Sequence, residues 1–253
     1  MVRTLFFALY FWVILILTLI PYVPLRIACM MGRRKEVTGY IQGIVNLWAR
    51  NMLWVTGAQL EIYGLANLPR EHNRICFVSN HQGYADIVTI LGCLPRPLGF
   101  ISKLELTNIP ILGLWMRMIQ CVFVKRDAHG SSGNAIAYAA DCMKDEWAMV
   151  IFPEGTRSKG KPVGPFKPGV LKLVELSGAT VVPISVQGSF RIWEEKGKVQ
   201  PARIRLVIHQ PMDIAARLDE DPQKLLEEMR QVVMSGLSFR GYAEAEGCLD
   251  YSF

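Results

Sequence analysis

A histidine and an aspartate stand five residues apart in the string NHQGYAD, at His81 and Asp86. A neutral imidazole can take up a proton near pH 7, and a neighbouring carboxylate fixes its tautomer and stabilises the imidazolium that forms. On one continuous helix the two side chains would diverge by about 140°. They meet only if the chain turns first, which Gly83 permits. The pair predicts a general base; in the alternative interpretation, Asp86 only caps a helix and His81 is exposed.

Positive charges follow other apolar runs in the same way. LGFIS ends in Lys103, CVFV ends in Lys125 and Arg126, and AMVIF leads into PEGTR at 153–157. The carboxyl ends of parallel strands share one edge of a sheet, which is where open α/β sheets bind ligands. We therefore expect these side chains to converge with His81.

The loop after the last of these runs is strongly basic. Between Gly155 and Val174 there is no acidic residue, and the basic ones are Arg157, Lys159, Lys161, Lys167 and Lys172. Glycines in this loop allow backbone amides to approach an anion, so we expect a phosphate to bind there. For Lys159 and Lys161 we favour a solvated position near anionic lipid.

Several enzyme classes are excluded by what the sequence lacks. No GxSxG string occurs, so a nucleophile elbow is not expected. No two of the four histidines have HExxH spacing, and no two cysteines form a CxxC pair. We therefore expect no metal ion.

The elements that must position these residues alternate along the chain from residue 58 onward. The strand-like runs are QLEIYGL, RICFVS, LGFIS, CVFVKR, AMVIF, TVVPISV and RIRLVIHQ. Helical patterns fall near 86–93, 131–146, 169–177 and 221–236. This alternation predicts an α/β fold with a mixed, largely parallel sheet flanked by helices.

The first 57 residues have a different character. Residues 4–25 include no charged residue, which predicts a membrane-anchoring helical segment that Pro21 and Pro24 interrupt near its far end. A cleaved signal peptide is the alternative. Apolar residues then recur at helical spacing from Ile41 to Val55. We expect this second helix either to pack on the core or to lie at the lipid interface.

Composition agrees with contact to an anionic, partly apolar partner. The chain has 253 residues, 51% of them hydrophobic and 20% charged, with a net charge of +6. These values exclude a disordered chain and a disulfide miniprotein. We expect three segments: membrane-associated helices over 1–57, an α/β domain over 58–240 and a loose tail over 241–253.

Four strings, in order, resemble the motifs of the glycerolipid acyltransferase family. They are NHQGYAD, VFVKR, FPEGTRS and VVPIS, and the similarity runs from about residue 60 to 210. The resemblance implies that His81 is the general base and Asp86 its orienting partner. It also implies a phosphate site at Lys103, Arg126 and Arg157, in a pocket shaped by Glu154, Gly155 and Thr156.

Within that family the motifs are most similar to members that acylate lysophosphatidic acid. The implied reaction moves a fatty acyl group from a thioester donor, acyl-CoA or acyl carrier protein, to the free hydroxyl of that acceptor, without a cofactor. The alternatives are another lysolipid or phosphorylated glycerol acceptor, a membrane-bound lipid hydrolase and a non-catalytic lipid-binding protein. Backbone amides near Gly83 are expected to stabilise the oxyanion.

The implied partners are the phospholipid bilayer, lysophosphatidic acid and the acyl donor, and no nucleic acid. The basic run at 33–35 places the catalytic domain on the cytoplasmic side of an inner or cytoplasmic membrane. The apolar stretch at 109–115 is expected to line an acyl channel, to touch the bilayer or to form a buried helix.

Overall fold

The computed structural model describes residues 1–69, 74–124, 131–145, 147–238 and 249–251. The described residues form eight α-helices: α1 (Val2–Leu17), α2 (Leu19–Met30), α3 (Arg34–Thr56), α4 (Ala85–Cys93), α5 (Leu112–Met118), α6 (Ser131–Cys142), α7 (Gly169–Ser177) and α8 (Pro222–Ser235). Their strands are β1 (Gln59–Tyr63), β2 (Ile75–Ser79), β3 (Leu98–Lys103), β4 (Val122–Val124), β5 (Ala148–Ile151), β6 (Thr180–Gln187), β7 (Arg203–Ile208) and β8 (Leu249–Tyr251). The predicted strand-like runs all form strands, and the four helical patterns correspond to α4, α6, α7 and α8.

The strands form one sheet in the order β4-β3-β5-β2-β6-β7-β1-β8. The five strands from β4 to β6 in this order run parallel, β7 is antiparallel to β6, and β1 is parallel to β7. Every residue of β2 is buried because helices cover both faces of the parallel part, which explains its uninterrupted apolar run. The predicted mixed, largely parallel sheet is confirmed.

The N-terminal segment is broken earlier than the sequence suggests. The break falls at Thr18, between α1 and α2, whereas Pro21 lies in the first turn of α2 and Pro24 inside it. Pro21 has no N–H to donate to the carbonyl of Leu17, so the first helix ends one turn before the proline. Among the described residues, no single helix is long and apolar enough to cross a membrane. Only α1 and α2 together, bent by 40°, have that length and composition.

Helix α3 is the amphipathic helix expected after the first segment. Its apolar face packs on the core and on α4, with Ile41, Val45 and Met52 buried. Trp48 is half-buried, whereas Trp54 is 54% exposed. Of the two expected positions, the core therefore accounts for most of this face.

Part of the segment that we expected to be a loose tail forms a strand. Within 241–253 the structure describes residues 249–251, which form β8, antiparallel to β1. Strand β1 would otherwise present unpaired backbone groups at the edge of the sheet, and β8 satisfies them.

Candidate active site

The carboxyl ends of β2, β3 and β5 lie at the same edge of the sheet, because these strands are parallel and adjacent. His81 follows β2, Lys103 ends β3, and the loop containing Arg157 follows β5. All three side chains line one cavity. The expected contributions of Lys125 and Arg126 fall outside the described residues.

His81 and Asp86 are in direct contact, with 2.6 Å between His81 Nδ1 and Asp86 Oδ2. The chain turns over residues 82–84 before α4 begins, as the sequence predicts from Gly83. Asp86 is fully buried, and its Oδ1 also accepts a hydrogen bond from the Ser189 hydroxyl. With Nδ1 donating to this carboxylate, Nε2 is the ring nitrogen left to accept a proton. The His81 ring stacks on Phe152 with centroids 4.1 Å apart, which fixes its plane.

Three carboxylates hold the backbone that carries His81. Glu154 Oε1 accepts the amide of residue 81 at 2.7 Å, and Asp86 Oδ2 accepts those of 82 and 83 at 2.6 and 2.9 Å. Glu194 Oε1 accepts the amide of residue 84 at 2.8 Å. The expectation that amides near Gly83 stabilise an oxyanion is therefore wrong, since these N–H groups already have acceptors.

The Glu154 side chain links two loops of the site. Its side chain also accepts the amide of Gly164 at 3.0 Å, so it joins the His81 loop to the basic loop. Burial raises the pKa of Glu154 above its usual range, although the two amide donors oppose this shift. Glu154 thus shapes the site without lining its cavity.

The turn at Gly155 brings the basic loop close to His81. Gly155 has a φ of +68°, a conformation that favours glycine, and a Cβ there would lie 2.8 Å from Lys167 Nζ. Beyond the turn, the amides of Ser158 and Lys159 donate to the carbonyls of residues 81 and 82. Lys159 and Lys161 are both exposed, as expected, and Lys159 also lines the cavity.

Arg157 is held by two neighbours. Its Nη1 donates to Glu194 Oε1 at 3.0 Å, and its guanidinium lies over the Tyr84 ring, 3.7 Å from the centroid. The Arg157 side chain is 27% exposed and lines the cavity. Stacking and pairing together leave it few alternative orientations.

The cavity has a volume of about 930 Å³, and its wall includes both cationic and apolar side chains. His81 lines it together with four cationic side chains, Lys103, Arg157, Lys159 and Lys167. Among the described residues that line it, none is acidic. The rest of the wall is mainly apolar and comes from several helices, including Phe7, Phe11 and Leu15 of α1, Trp48 of α3, Val88 of α4 and Leu112 of α5.

The apolar stretch at 109–115 contributes to the cavity wall and to the buried core. Ile109, Leu112 and Trp115 line the cavity, and Trp115 is also buried in the core. The Trp115 indole donates to the Thr18 hydroxyl at 2.8 Å. This contact attaches the break between α1 and α2 to the cavity wall.

Sequence reasoning missed Glu194 and Ser189, and it assigned Lys167 no more than a place in the basic loop. Glu194 lies 110 residues from its Tyr84 partner and belongs to no motif. Lys167 carried a usable signal, because it stands in the same acid-free run as Arg157. Among the described residues, no cluster of three or more His, Cys, Asp or Glu side chains can hold a metal ion.

Comparison with known proteins places these features in a family. The sequence profile of the acyltransferase family matches residues 59–187. The 1-acyl-sn-glycerol-3-phosphate acyltransferases BAT2 of Brassica napus and LPAT1 of Arabidopsis thaliana, both chloroplastic, are 32% and 34% identical to this chain. The matches cover 87% and 67% of this chain, but 64% and 48% of those proteins, less than two thirds of each.

The crystal structure of the 1-acyl-sn-glycerophosphate acyltransferase PlsC from Thermotoga maritima has the same fold. The TM-score is 0.77 at 27% sequence identity, and the match covers 93% of this chain and 95% of that one. The matched residues 59–187 contain the His81–Asp86 pair and the Gly155–Arg157 turn. This chain therefore belongs to the acyltransferase family.

Proposed function

We propose that this protein transfers a fatty acyl group from a thioester donor to the free hydroxyl of lysophosphatidic acid, giving phosphatidic acid. The observation that carries the proposal is that His81, in contact with Asp86, lines one cavity together with four cationic side chains and a mainly apolar wall. Such a cavity matches a substrate that carries a phosphate for the cationic side chains, a hydroxyl for His81 and an acyl chain for the apolar wall. The reaction needs acyl-CoA or acyl carrier protein as co-substrate and no cofactor.

His81 Nε2 takes the proton of the acceptor hydroxyl as its oxygen attacks the thioester carbonyl carbon. Buried Asp86 stabilises the resulting imidazolium through the 2.6 Å contact to Nδ1. When the tetrahedral intermediate collapses, the new ester bond is kept and the carbon–sulfur bond breaks. The imidazolium returns its proton to the leaving thiolate, which restores neutral His81.

The oxyanion of this intermediate requires donors other than the amides of residues 81–84. Among the described residues, the backbone N–H groups of Thr156 and Arg157 donate to no acceptor in the protein. Both residues line the cavity, and the next residue, Ser158, bonds to the His81 carbonyl at 2.7 Å. We assign the oxyanion to these two amides.

The acceptor phosphate fits the cationic region of the cavity. Lys103 supplies charge from the end of β3, and Arg157, Lys159 and Lys167 supply it from the loop after β5. No described acidic residue lines the cavity, and these four cationic side chains favour an anion there. Arg126, for which the family resemblance implies the same role, keeps that role as a proposal.

Release of thiol from acyl-CoA, measured with and without acceptor, tests the proposed function. We expect release that depends on lysophosphatidic acid and matches phosphatidic acid formation one for one. Release without acceptor, together with free fatty acid, would identify a hydrolase. Acyl-CoA binding without thiol release would identify a lipid-binding protein. Faster thiol release with another lysolipid or with glycerol phosphate would identify that molecule as the preferred acceptor.

Replacing Arg157 by alanine should weaken the binding of the phosphorylated acceptor and leave the binding of the acyl donor nearly unchanged. The loss of one charge-assisted hydrogen bond costs on the order of 1.5–3 kcal/mol, so the KM for lysophosphatidic acid should rise by about 10- to 150-fold. The KM for acyl-CoA should change little. Steady-state kinetics with each substrate varied in turn measures both values.

Lys172→Ala is the matched control, since Lys172 belongs to the same basic run but lies exposed on α7, paired with Glu175. This variant should keep both KM values. An equal rise in both KM values for Arg157→Ala would mean that the loop has collapsed and would contradict a specific phosphate contact.

We further propose that α1 and α2 hold the site against the cytoplasmic face of an inner or cytoplasmic membrane. Large apolar side chains are exposed along both helices, among them Leu9 at 66% and Ile20 at 74%. The other face of α1 lines the cavity and contacts α3 through Phe11, and α2 contacts Trp115 of α5 through Tyr22. Contact with the bilayer at this surface would bring lipid substrates directly to the cavity.

The double substitution Leu9→Lys/Ile20→Lys should detach the protein from anionic liposomes. It removes two exposed aliphatic side chains from lipid contact, each worth up to about 1.5–3 kcal/mol, while leaving the packed face intact. Flotation should fall at least tenfold, with activity on detergent-dispersed acceptor retained. Deleting residues 1–30 is a poorer test, because it would also remove buried Leu15 from the core.

Met234→Lys provides the control, because Met234 is 37% exposed on α8 and the substitution adds a single positive charge away from α1 and α2. Flotation of this variant should match the wild type. If the double variant also floats like the wild type, membrane contact through α1 and α2 is refuted.

A further inference from the structure

Glu194 is a buried acid in contact with both parts of the candidate site. Its side chain is 3% exposed. Oxygen Oε1 accepts from the backbone amide of Tyr84 at 2.8 Å and from Arg157 Nη1 at 3.0 Å. One oxygen atom therefore joins the loop that carries His81 to the guanidinium assigned to the acceptor phosphate.

The surrounding backbone makes room for this carboxylate. A Cβ on Gly83 would lie 2.5 Å from Glu194 Oε2, too close for any side chain at that position while Glu194 stays in place. Oε2 itself is buried and accepts no hydrogen bond from the described residues. Leaving a carboxylate oxygen buried without a donor is costly, so the contacts made by Oε1 must compensate for it.

A buried carboxylate beside an arginine need not prevent that arginine from binding phosphate. Guanidinium has five N–H donors in a rigid plane, and Glu194 engages one nitrogen. The Tyr84 ring fixes the plane from one face at 3.7 Å. With the plane and one nitrogen fixed, the remaining donors keep a constant direction relative to the cavity that Arg157 lines.

We propose that Glu194 is a positioning residue for the acceptor phosphate, acting through Arg157. By bonding Arg157 and the Tyr84 amide with the same oxygen, it sets the separation between the phosphate site and the His81 loop. That separation must match the distance between the phosphate and the free hydroxyl of a glycerol backbone. The proposal rests on the proposed function, since it assigns Glu194 a role toward that acceptor.

Glu194→Ala and Glu194→Gln, each alone and combined with Arg157→Ala, test this role. Alanine removes both contacts and should raise the KM for lysophosphatidic acid about tenfold, with the KM for acyl-CoA within twofold of wild type. Glutamine keeps an acceptor oxygen at the same place, so the KM of this variant should rise by no more than about threefold, half of the alanine effect on a logarithmic scale. In the Arg157→Ala background, neither Glu194 substitution should raise this KM further, because the residue through which Glu194 acts is absent.

Glu195→Gln is the matched control: the neighbouring acid is exposed, its carboxylate accepts a hydrogen bond from Gln200, and it should leave both KM values unchanged. Thermal unfolding of each variant checks that it is folded, and Glu194→Gln supplies the test if the alanine variant is not. An unchanged acceptor KM, an equal rise for both substrates, or KM effects that simply add to those of Arg157→Ala would each overturn the proposal. If the wild-type protein does not acylate lysophosphatidic acid, the proposed function is refuted. If it does, but the Glu194 variants do not show the expected KM values, only the role of Glu194 is refuted.

Discussion

Replacing His81 by alanine is expected to lower the rate of acyl transfer by about 10²- to 10⁴-fold, the usual contribution of a positioned general base. No substitute is at hand: among the described residues that line the cavity, His81 is the single histidine. Lys103 and Lys167 line the same cavity, but they belong to the cationic set assigned to the acceptor phosphate. Thiol release dependent on lysophosphatidic acid measures the effect.

His209→Gln is a suitable companion variant. The His209 ring bonds to the Ser185 hydroxyl at 2.7 Å and does not line the cavity; burial lowers its pKa to about 4. This variant should keep most of the activity, although it removes the same type of side chain. Retention of more than a tenth of wild-type turnover by folded His81→Ala would refute the general-base role.

Replacing Asp86 by asparagine should reduce kcat by a comparable factor while leaving the acceptor KM nearly unchanged. The amide oxygen can take the place of Oδ2 and accept from the imidazole and from the amides of residues 82 and 83. The amide NH₂ group then faces the Ser189 hydroxyl, which can accept a hydrogen bond. The loop keeps its shape, but the imidazolium formed during the reaction loses its buried counter-charge.

Steady-state kinetics of Asp86→Asn, with the fold checked by thermal unfolding, separates the two interpretations of this residue. A loss confined to kcat supports the role in stabilising imidazolium. A loss confined to the acceptor KM would instead make Asp86 a residue that only caps α4 and shapes the pocket. Asp86→Ala should do worse than asparagine in both stability and rate, since it leaves two buried loop amides without their acceptor.

Local sequence patterns were sufficient to predict the sheet and one edge of the site. The strands β2 to β6 are mainly apolar runs, and β1 and β7 alternate apolar with polar residues. A parallel arrangement of β2 and β3 then requires His81 and Lys103 to meet at one edge. The turn at Gly83 was predictable from local geometry, because His81 and Asp86 cannot meet on a continuous helix. These inferences depend on residues close together in the chain or on a general property of parallel strands.

The features that sequence reasoning missed depend on distant parts of the chain. Nearby Asp86 accepts the amides of residues 82 and 83, but the acceptors for the amides of residues 81 and 84 are Glu154 and Glu194, which lie 73 and 110 residues away from these partners. The prolines indicated that the first segment is interrupted. They do not mark the break itself, because a proline disrupts the helical turn that precedes it.

The pairing of β1 with β7 has a consequence for how the protein is made. Glu61 of β1 contacts Arg205 of β7 across 144 residues of sequence. At 5–20 residues per second, roughly 7–30 s pass between synthesis of the two strands. Both strands that flank β1 in the described sheet, β7 and β8, lie later in the chain, so the nascent polypeptide carries an open strand edge throughout this interval. The apolar helices α1–α3 emerge earlier still, so we expect the nascent chain to reach a membrane or a chaperone before its catalytic domain can close.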